Sequence, residues 1–286
     1  MDPVIIQNDN LTATIQPLGA ELTSLLDQSG CEYIWQRDPK FWQSSAPILF
    51  PIVGGLKNDQ YALDGRIYSL PKHGFASQRV FSVSEQTTSS VQMTLADDED
   101  TRRMYPFSFL LSVDFCLRSH RLITTYTIQN RSERTLYASI GAHEGYMCPE
   151  GIESYDLCFE QEETLETCAV DGSLLSGETS LVLEKGFVLP LKTEYFMIDA
   201  LIFSALHSQS VTLLQRDGGR RIRVDFPGFP SLGVWTRPGA PFVCIEPWCG
   251  LPDEVTSNGK IAEKRGIMAI PTGKYLFRTH IITIEN

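Results

Sequence analysis

Strand-like patterning runs along nearly the whole chain. Phe109 to Leu117 and Leu122 to Ile128 alternate in part or are dense in β-branched residues, and Arg118-Ser-His-Arg121 between them reads as a hairpin turn. A second turn, Asn130-Arg-Ser-Glu133, leads into Thr135 to Ile140, which predicts a three-stranded antiparallel meander ending at His143. Short apolar runs follow at Leu181 to Leu183, Leu201 to Ala205, Val211 to Leu214, Ile222 to Phe226, Leu232 to Trp235, Phe242 to Ile245 and Leu276 to Ile284. Gly, Pro, Asp and Asn separate them at intervals typical of sandwiches and barrels. No segment sustains a 3.6-residue apolar period, so helix is expected only in short pieces at Asp97 to Arg103 and Ile261 to Arg265. The class is all-β. With no repeat, linker or composition shift, residues 1–286 are expected to form one domain.

Composition narrows the function. Hydrophobic residues make up 42% and charged residues 21%, enough apolar material for a sizeable core. A net charge of −11 argues against a nucleic-acid partner, since binding a polyanion needs clustered Lys and Arg. The start, Met1-Asp-Pro-Val-Ile-Ile, lacks a signal-peptide pattern, and no apolar run approaches the roughly 20 residues that span a bilayer. A soluble, cytoplasmic protein without a membrane partner is expected. Seven cysteines are scattered singly without a CxxC pair, and the ten-residue interval of Cys148, Cys158 and Cys168 matches no ligand rule. No metal or cofactor is assigned.

The candidate chemistry lies in three segments: Leu70-Pro-Lys-His73-Gly-Phe-Ala76, Ile140-Gly-Ala-His143 and Phe242-Val-Cys-Ile-Glu246-Pro-Trp248. Glu246 precedes a proline that restricts it to extended backbone and is expected to end the ladder there. Trp248 offers an aromatic face for a sugar and a means of drying the carboxylate. His143 lies where a strand opens into a loop, and His73 in a tight turn; either imidazole can move a proton near neutral pH. Each segment also has a structural reading: a surface glutamate in a turn, a histidine bonded at the sheet margin, a turn histidine facing solvent. His120 and His280 read as structural.

Taken in order along the chain, the motifs resemble the aldose 1-epimerase or galactose mutarotase-like superfamily, and within it the LacX-type branch. They are Gly19-Ala-Glu-Leu-Thr-Ser-Leu, Trp35 through Trp42, Ala46-Pro-Ile-Leu-Phe-Pro-Ile-Val-Gly54, Lys72-His-Gly-Phe-Ala76, Tyr105-Pro-Phe, Ser139-Ile-Gly-Ala-His143, Ile198-Asp199-Ala-Leu and Ile245-Glu-Pro-Trp-Cys-Gly250. The resemblance implies a large antiparallel β-supersandwich whose cleft binds a hexose, with no cofactor. It implies that Glu246 is the base at the anomeric hydroxyl, that His143 is the acid at the ring oxygen, and that His73 and Asp199 bind the sugar.

The chain departs from the branch in three places. LacX-like sequences usually carry arginines where this one has Gly55 and Ser77, and a proline where it has Glu144. Lys57 and Arg79, each two residues further on, are candidate substitutes, and Glu144 is a candidate partner for His143. The missing arginines favour a neutral sugar over a hexose 6-phosphate, which arginines would clamp bidentately. Besides a mutarotase, two readings stay open: a sugar sensor with the same cleft, and a glycoside hydrolase using Asp199 or Glu144 as second carboxylate. Open sheet edges leave room for a homodimer.

Overall fold

The computed structural model describes residues 2–285. Its largest element is a nine-stranded antiparallel sheet. From one edge the order is Leu174–Pro190, Tyr155–Asp171, Ser210–Gln215, Arg221–Asp225, Tyr275–Glu285, Arg121–Asn130, Phe109–Arg118, Ser90–Ala96 and Ser82–Gln86. Alternation works as expected in its centre. Phe109, Leu111, Val113, Phe115 and Leu117 are buried, while the residues between them are only partly covered. The hairpin turn closes at Ser119 and His120, one residue tighter on each side than the sequence pattern suggests.

A smaller sheet faces it across the core, built from Phe242–Cys249, Ser231–Trp235, Leu201–Phe203 and two short segments, Ile140–Gly141 and Glu144–Met147. Every residue from Phe242 to Cys249 is buried, so this strand is covered on both faces and cannot show alternation. An N-terminal sheet of Val4–Gln7, Leu11–Gln16 and Glu21–Asp27 flanks the pair. One short α-helix, Glu99–Met104, begins at the Asp98 and Thr101 capping box, and Ile261–Glu263 forms a 3₁₀ turn. Among the described residues no helix is long and apolar enough to cross a membrane.

Three local expectations need correction. The meander does not continue in one sheet: Leu136–Ala138 leaves it to pair with Met268–Ile270, and Ile140–Gly141 then joins the smaller sheet. Pro247 does not end its strand, which runs on to Cys249. Its carbonyl accepts from the Ala142 N–H at 3.0 Å, and its missing N–H falls at the break between Ile140–Gly141 and Glu144–Met147, where the ladder is already interrupted. Leu181 to Leu183 is a fragment of a much longer element, the hairpin of Tyr155–Asp171 and Leu174–Pro190 with 17 residues in each strand. Its register shifts and exposed residues hide it from a periodicity search. The tip of this hairpin is tied down by backbone bonds from Leu175 to Asp253 at 2.8 Å and from Val255 to Leu175 at 2.9 Å.

Candidate active site

Strand register brings the two central side chains together. Gly141 lies opposite Trp248, and Glu144 lies opposite Ile245. The same register carried through the break sets His143 directly across from Glu246. Residues opposite one another in antiparallel strands share a face, and His143 Nε2 lies 3.2 Å from Glu246 Oε2. The geometry is that of close contact without a formed hydrogen bond, because Glu246 Oε2 and His143 Nδ1 are both buried without a partner. The pair forms part of the wall of a cleft of about 630 Å³, a size suited to a small molecule.

Burial dominates the electrostatics. It pushes the Glu246 carboxyl well above the usual range, helped by the charges of Glu144 and Asp199 and opposed by the Lys72 ammonium. It pushes His143 down to about 3, with Lys72 adding to the effect. Burial thus favours the neutral form of each group, and at 3.2 Å the two titrate as a coupled pair. Trp42 and Trp235 pack against the imidazole in a three-ring cluster, with centroids 5.1 and 6.0 Å from that of His143 and 5.5 Å from each other. Trp248 lines the cleft beside Glu246, held in a slot that requires two glycines. A Cβ on Gly141 would meet the indole at 2.8 Å and one on Gly233 at 2.6 Å. The indole N–H is buried without a partner, so it is available to the carboxylate next to it or to a ligand.

His73 reaches the same cleft, its ring 5.8 Å from that of His143 and nearly perpendicular to it. It adopts left-handed backbone, φ +67°, clamped by two bonds to one residue. Its N–H donates to the Gly54 carbonyl at 2.9 Å, and its Nδ1 accepts from the Gly54 N–H at 3.1 Å. With Nδ1 an acceptor, Nε2 must carry the proton, which makes His73 a neutral donor of fixed tautomer. Burial together with His143 and Lys72 holds its pKa well below the ordinary histidine value, consistent with that neutral form. Asp199 also lines the cleft, where its Oδ1 accepts from the Ala200 N–H at 2.8 Å.

The structure does not bring Lys57 or Arg79 into the cleft. Lys57 Nζ donates to the Ser257 carbonyl at 3.3 Å, and Arg79 faces Asp98 and Asp100 at 3.7 and 3.9 Å. Neither stands in for an arginine at 55 or 77. At Gly55 the space is already filled, since a Cβ there would meet Ser173 Oγ of the hairpin tip at 2.5 Å. Ser77 lines the cleft as it is. Glu144 is no partner for His143: it points to the opposite face of the sheet, where Oε1 lies 3.0 Å from His280 Nε2.

Several cleft residues escaped the sequence reading. Trp42 and Trp235 entered it only as the ends of a motif and of an apolar run, and Val170 and Ser173 arrive from the unrecognised hairpin. Lys72 was within reach of inference through its neighbour His73. Arg237 also lines the cleft.

The fold and the site define a mutarotase-like β-sandwich protein with a desolvated carboxyl and imidazole in contact on one face of its smaller sheet. The family model for aldose 1-epimerase matches residues 2–281, and the chain belongs to that family. It is similar to the chromosomal LacX protein of Lactococcus lactis subsp. lactis, 33% identical over 98% of this chain and 99% of that protein. Among solved structures it is similar to a galactose mutarotase-related enzyme from Lactobacillus acidophilus, with TM-score 0.94 and 30% identity over 100% of this chain and 98% of that one. A galactose mutarotase-like protein from Lactobacillus casei has TM-score 0.95 and 28% identity over 99% of this chain and 100% of that one.

Proposed function

We propose that the protein interconverts the α and β anomers of a free, neutral hexose, with Glu246 and His143 as the proton-transferring pair. The observation that carries this reading is the 3.2 Å contact of an imidazole and a carboxylate on the cleft wall. The two oxygens that exchange protons in mutarotation, the anomeric hydroxyl and the ring oxygen, are bonded to the same carbon. An acid and a base acting on them must therefore lie a few ångströms apart, as these two do.

In the reactive form Glu246 is the carboxylate and His143 the imidazolium, one proton transfer away from the neutral pair. Glu246 takes the proton of the anomeric hydroxyl while His143 gives one to the ring oxygen. The bond between C1 and the ring oxygen breaks, its electron pair leaving with that oxygen, and C1 becomes the aldehyde carbon. Rotation about the C1–C2 bond presents the other face, and the reverse transfers close the ring. Each group ends in its starting protonation state, so no further reactant is consumed. Lys72 favours the carboxylate, the Nε2–H of His73 is a donor for a sugar oxygen, Asp199 is an acceptor for hydroxyls, and Trp248 offers an aromatic wall.

The similarity to LacX supports placing the protein in that branch. Gly55 and Ser77 in place of arginines support a neutral hexose. Glycoside hydrolysis fits less well, because Glu144, one of its two possible second carboxylates, faces away from the cleft. The test is anomer equilibration of freshly dissolved α-glucose and α-galactose, followed by polarimetry where spontaneous exchange is slow. Wild type is expected to accelerate at least one of them and Glu246→Gln to fall back toward the buffer rate. Saturable sugar binding with no acceleration of either would turn the assignment to a sugar sensor.

A further inference from the structure

Cys244 stands two residues before Glu246 in the same strand, so their side chains share a face, the one on which His143 lies. One ligand atom from each of His143, Cys244 and Glu246 lies within 4.8 Å of the others. This set is invisible in the linear spacing, because His143 comes from a distant strand. We propose that these three residues form an inhibitory binding site for a thiophilic divalent cation, Zn²⁺ in particular.

Imidazole, thiolate and carboxylate are the donor types zinc takes, with bonds of about 2.0 to 2.3 Å, which place tetrahedral donors about 3.3 to 3.8 Å apart. The His143 to Glu246 contact of 3.2 Å is already at that spacing. Cys244 closes the set with roughly 1 Å of side-chain movement on the same geometry. Glu246 Oε2 is 1% exposed as a residue and without a partner, an acceptor aimed into the cluster and left over by the protein itself. A divalent ion with one thiolate and one carboxylate is neutral overall, which suits a buried position. The fourth position opens to the cleft, because His143 and Glu246 line it. Cys244 packs beneath with Trp35, Ala240 and Phe242, so the ion enters from the cleft side. The Lys72 ammonium opposes a cation here, but its side chain is exposed and screened by water, whereas the three donors are not.

Metal binding is independent of the proposed epimerase activity; its inhibitory effect rests on that reading, since a bound ion occupies the lone pairs that anomer exchange needs. The test titrates the purified, metal-free protein with Co²⁺ as a spectroscopic stand-in for Zn²⁺. Wild type is expected to show a thiolate-to-cobalt charge-transfer band that saturates at one equivalent. Cys244→Ala is expected to lose the band and at least about 100-fold in affinity, the upper end of the cost of removing even an outer-shell partner. Cys244→Val, which keeps apolar volume, takes its place if circular dichroism shows the alanine variant to be non-native. No band in wild type, or a band or affinity that survives loss of Cys244, overturns the site. In the polarimetric assay Zn²⁺ is expected to raise the apparent KM for sugar in wild type, reversibly with EDTA, and not in the Cys244 variant. Equal inhibition of both proteins also overturns it. A cobalt band in a protein that does not exchange anomers keeps the site and sinks the epimerase reading instead.

Discussion

Two histidine–glutamate contacts stand back to back on the two faces of the smaller sheet, one from each of the consecutive residues His143 and Glu144. His143 meets Glu246 at 3.2 Å on the cleft face, and the next residue, Glu144, meets His280 at 3.0 Å on the core face. The chemical groups are the same and the distances nearly so. Their surroundings differ. His143 borders a cleft and packs against Trp42 and Trp235, while His280 is fully buried and stacked on Tyr126 with centroids 5.7 Å apart. A substrate can reach the first pair only. The second ties Glu144–Met147, the strand that His143 directly precedes, to the large sheet, because His280 belongs to Tyr275–Glu285. Pleating alone, which sends consecutive side chains to opposite faces, separates a chemical pair from a fastening pair.

If that division is right, the largest effects on turnover come from the cleft face. Glu246→Gln keeps the shape of the side chain and removes the base, so anomer exchange is expected to fall by about 10² to 10⁴-fold. His143→Asn is expected to do the same and to lower kcat more than it raises KM, since its proton transfer matters mainly in the transition state. Thermal melting should barely change in either, because each substitution replaces a costly buried ionisable group with a neutral one. A His143→Asn variant with normal kcat and only a weaker KM would remove His143 from the role of acid.

The core pair should give the opposite pattern. His280→Ala leaves the Glu144 carboxylate buried without a partner, which costs about 3 to 5 kcal/mol of stability. Replacing both, as Glu144→Met with His280→Phe, is expected to restore most of that, since burial of a matched apolar pair avoids desolvating charge. Denaturant melts measure both quantities. The variant protein that remains folded should exchange anomers within a few-fold of wild type. A loss of turnover on the scale of Glu246→Gln in folded His280→Ala protein would show that the two faces are not separate in function.

The sequence carried one half of this comparison better than the other. Glu246, His143, His73 and Asp199 were all legible as cleft residues because they sit in short ordered motifs. Glu144 was misassigned for a physical reason: adjacency in sequence invites pairing with His143, whereas strand pleating forbids it. Lys57 and Arg79 failed similarly, since an offset of two residues preserves a face only within a regular strand. Lys57 instead opens a 3₁₀ turn in which Asn58 is left-handed, and Arg79 follows another such turn. The long hairpin was missed because its edge strand, Leu174–Pro190, is exposed on most of both faces and loses the alternation that marks a strand, and with it went Ser173 and the reason that position 55 is glycine. Fold class needed only the density of strands and turns. The second sheet's register, on which the pair depends, is set by long-range pairing.

The pH profile sharpens the contrast further. The reactive carboxylate and imidazolium hold the same single proton as the neutral pair, so activity falls when the pair gives that proton up or takes a second one. Burial raises Glu246 well above the usual carboxylate range, which delays the loss, and pushes His143 down to about 3, which delays the gain. Activity measured as kcat/KM should therefore hold as pH falls through the ordinary histidine value, and an acid limb at 6.5 would mean that the pair is not desolvated.

Lys72 supplies the smallest and most specific effect. Its cation favours the carboxylate of Glu246 and disfavours the imidazolium of His143. With Lys72→Met the acid limb should move to higher pH, because the pair loses a cation that opposes its taking up a second proton. At neutral pH the rate should fall by less than in Glu246→Gln, since both catalytic groups remain. The same substitution should leave thermal stability unchanged within error, as Lys72 is exposed and makes no ion pair among the described residues. Lys72→Arg should restore the position of the limb, which a merely structural lysine would not require. A limb unmoved in Lys72→Met would leave the cleft pair tuned by burial alone.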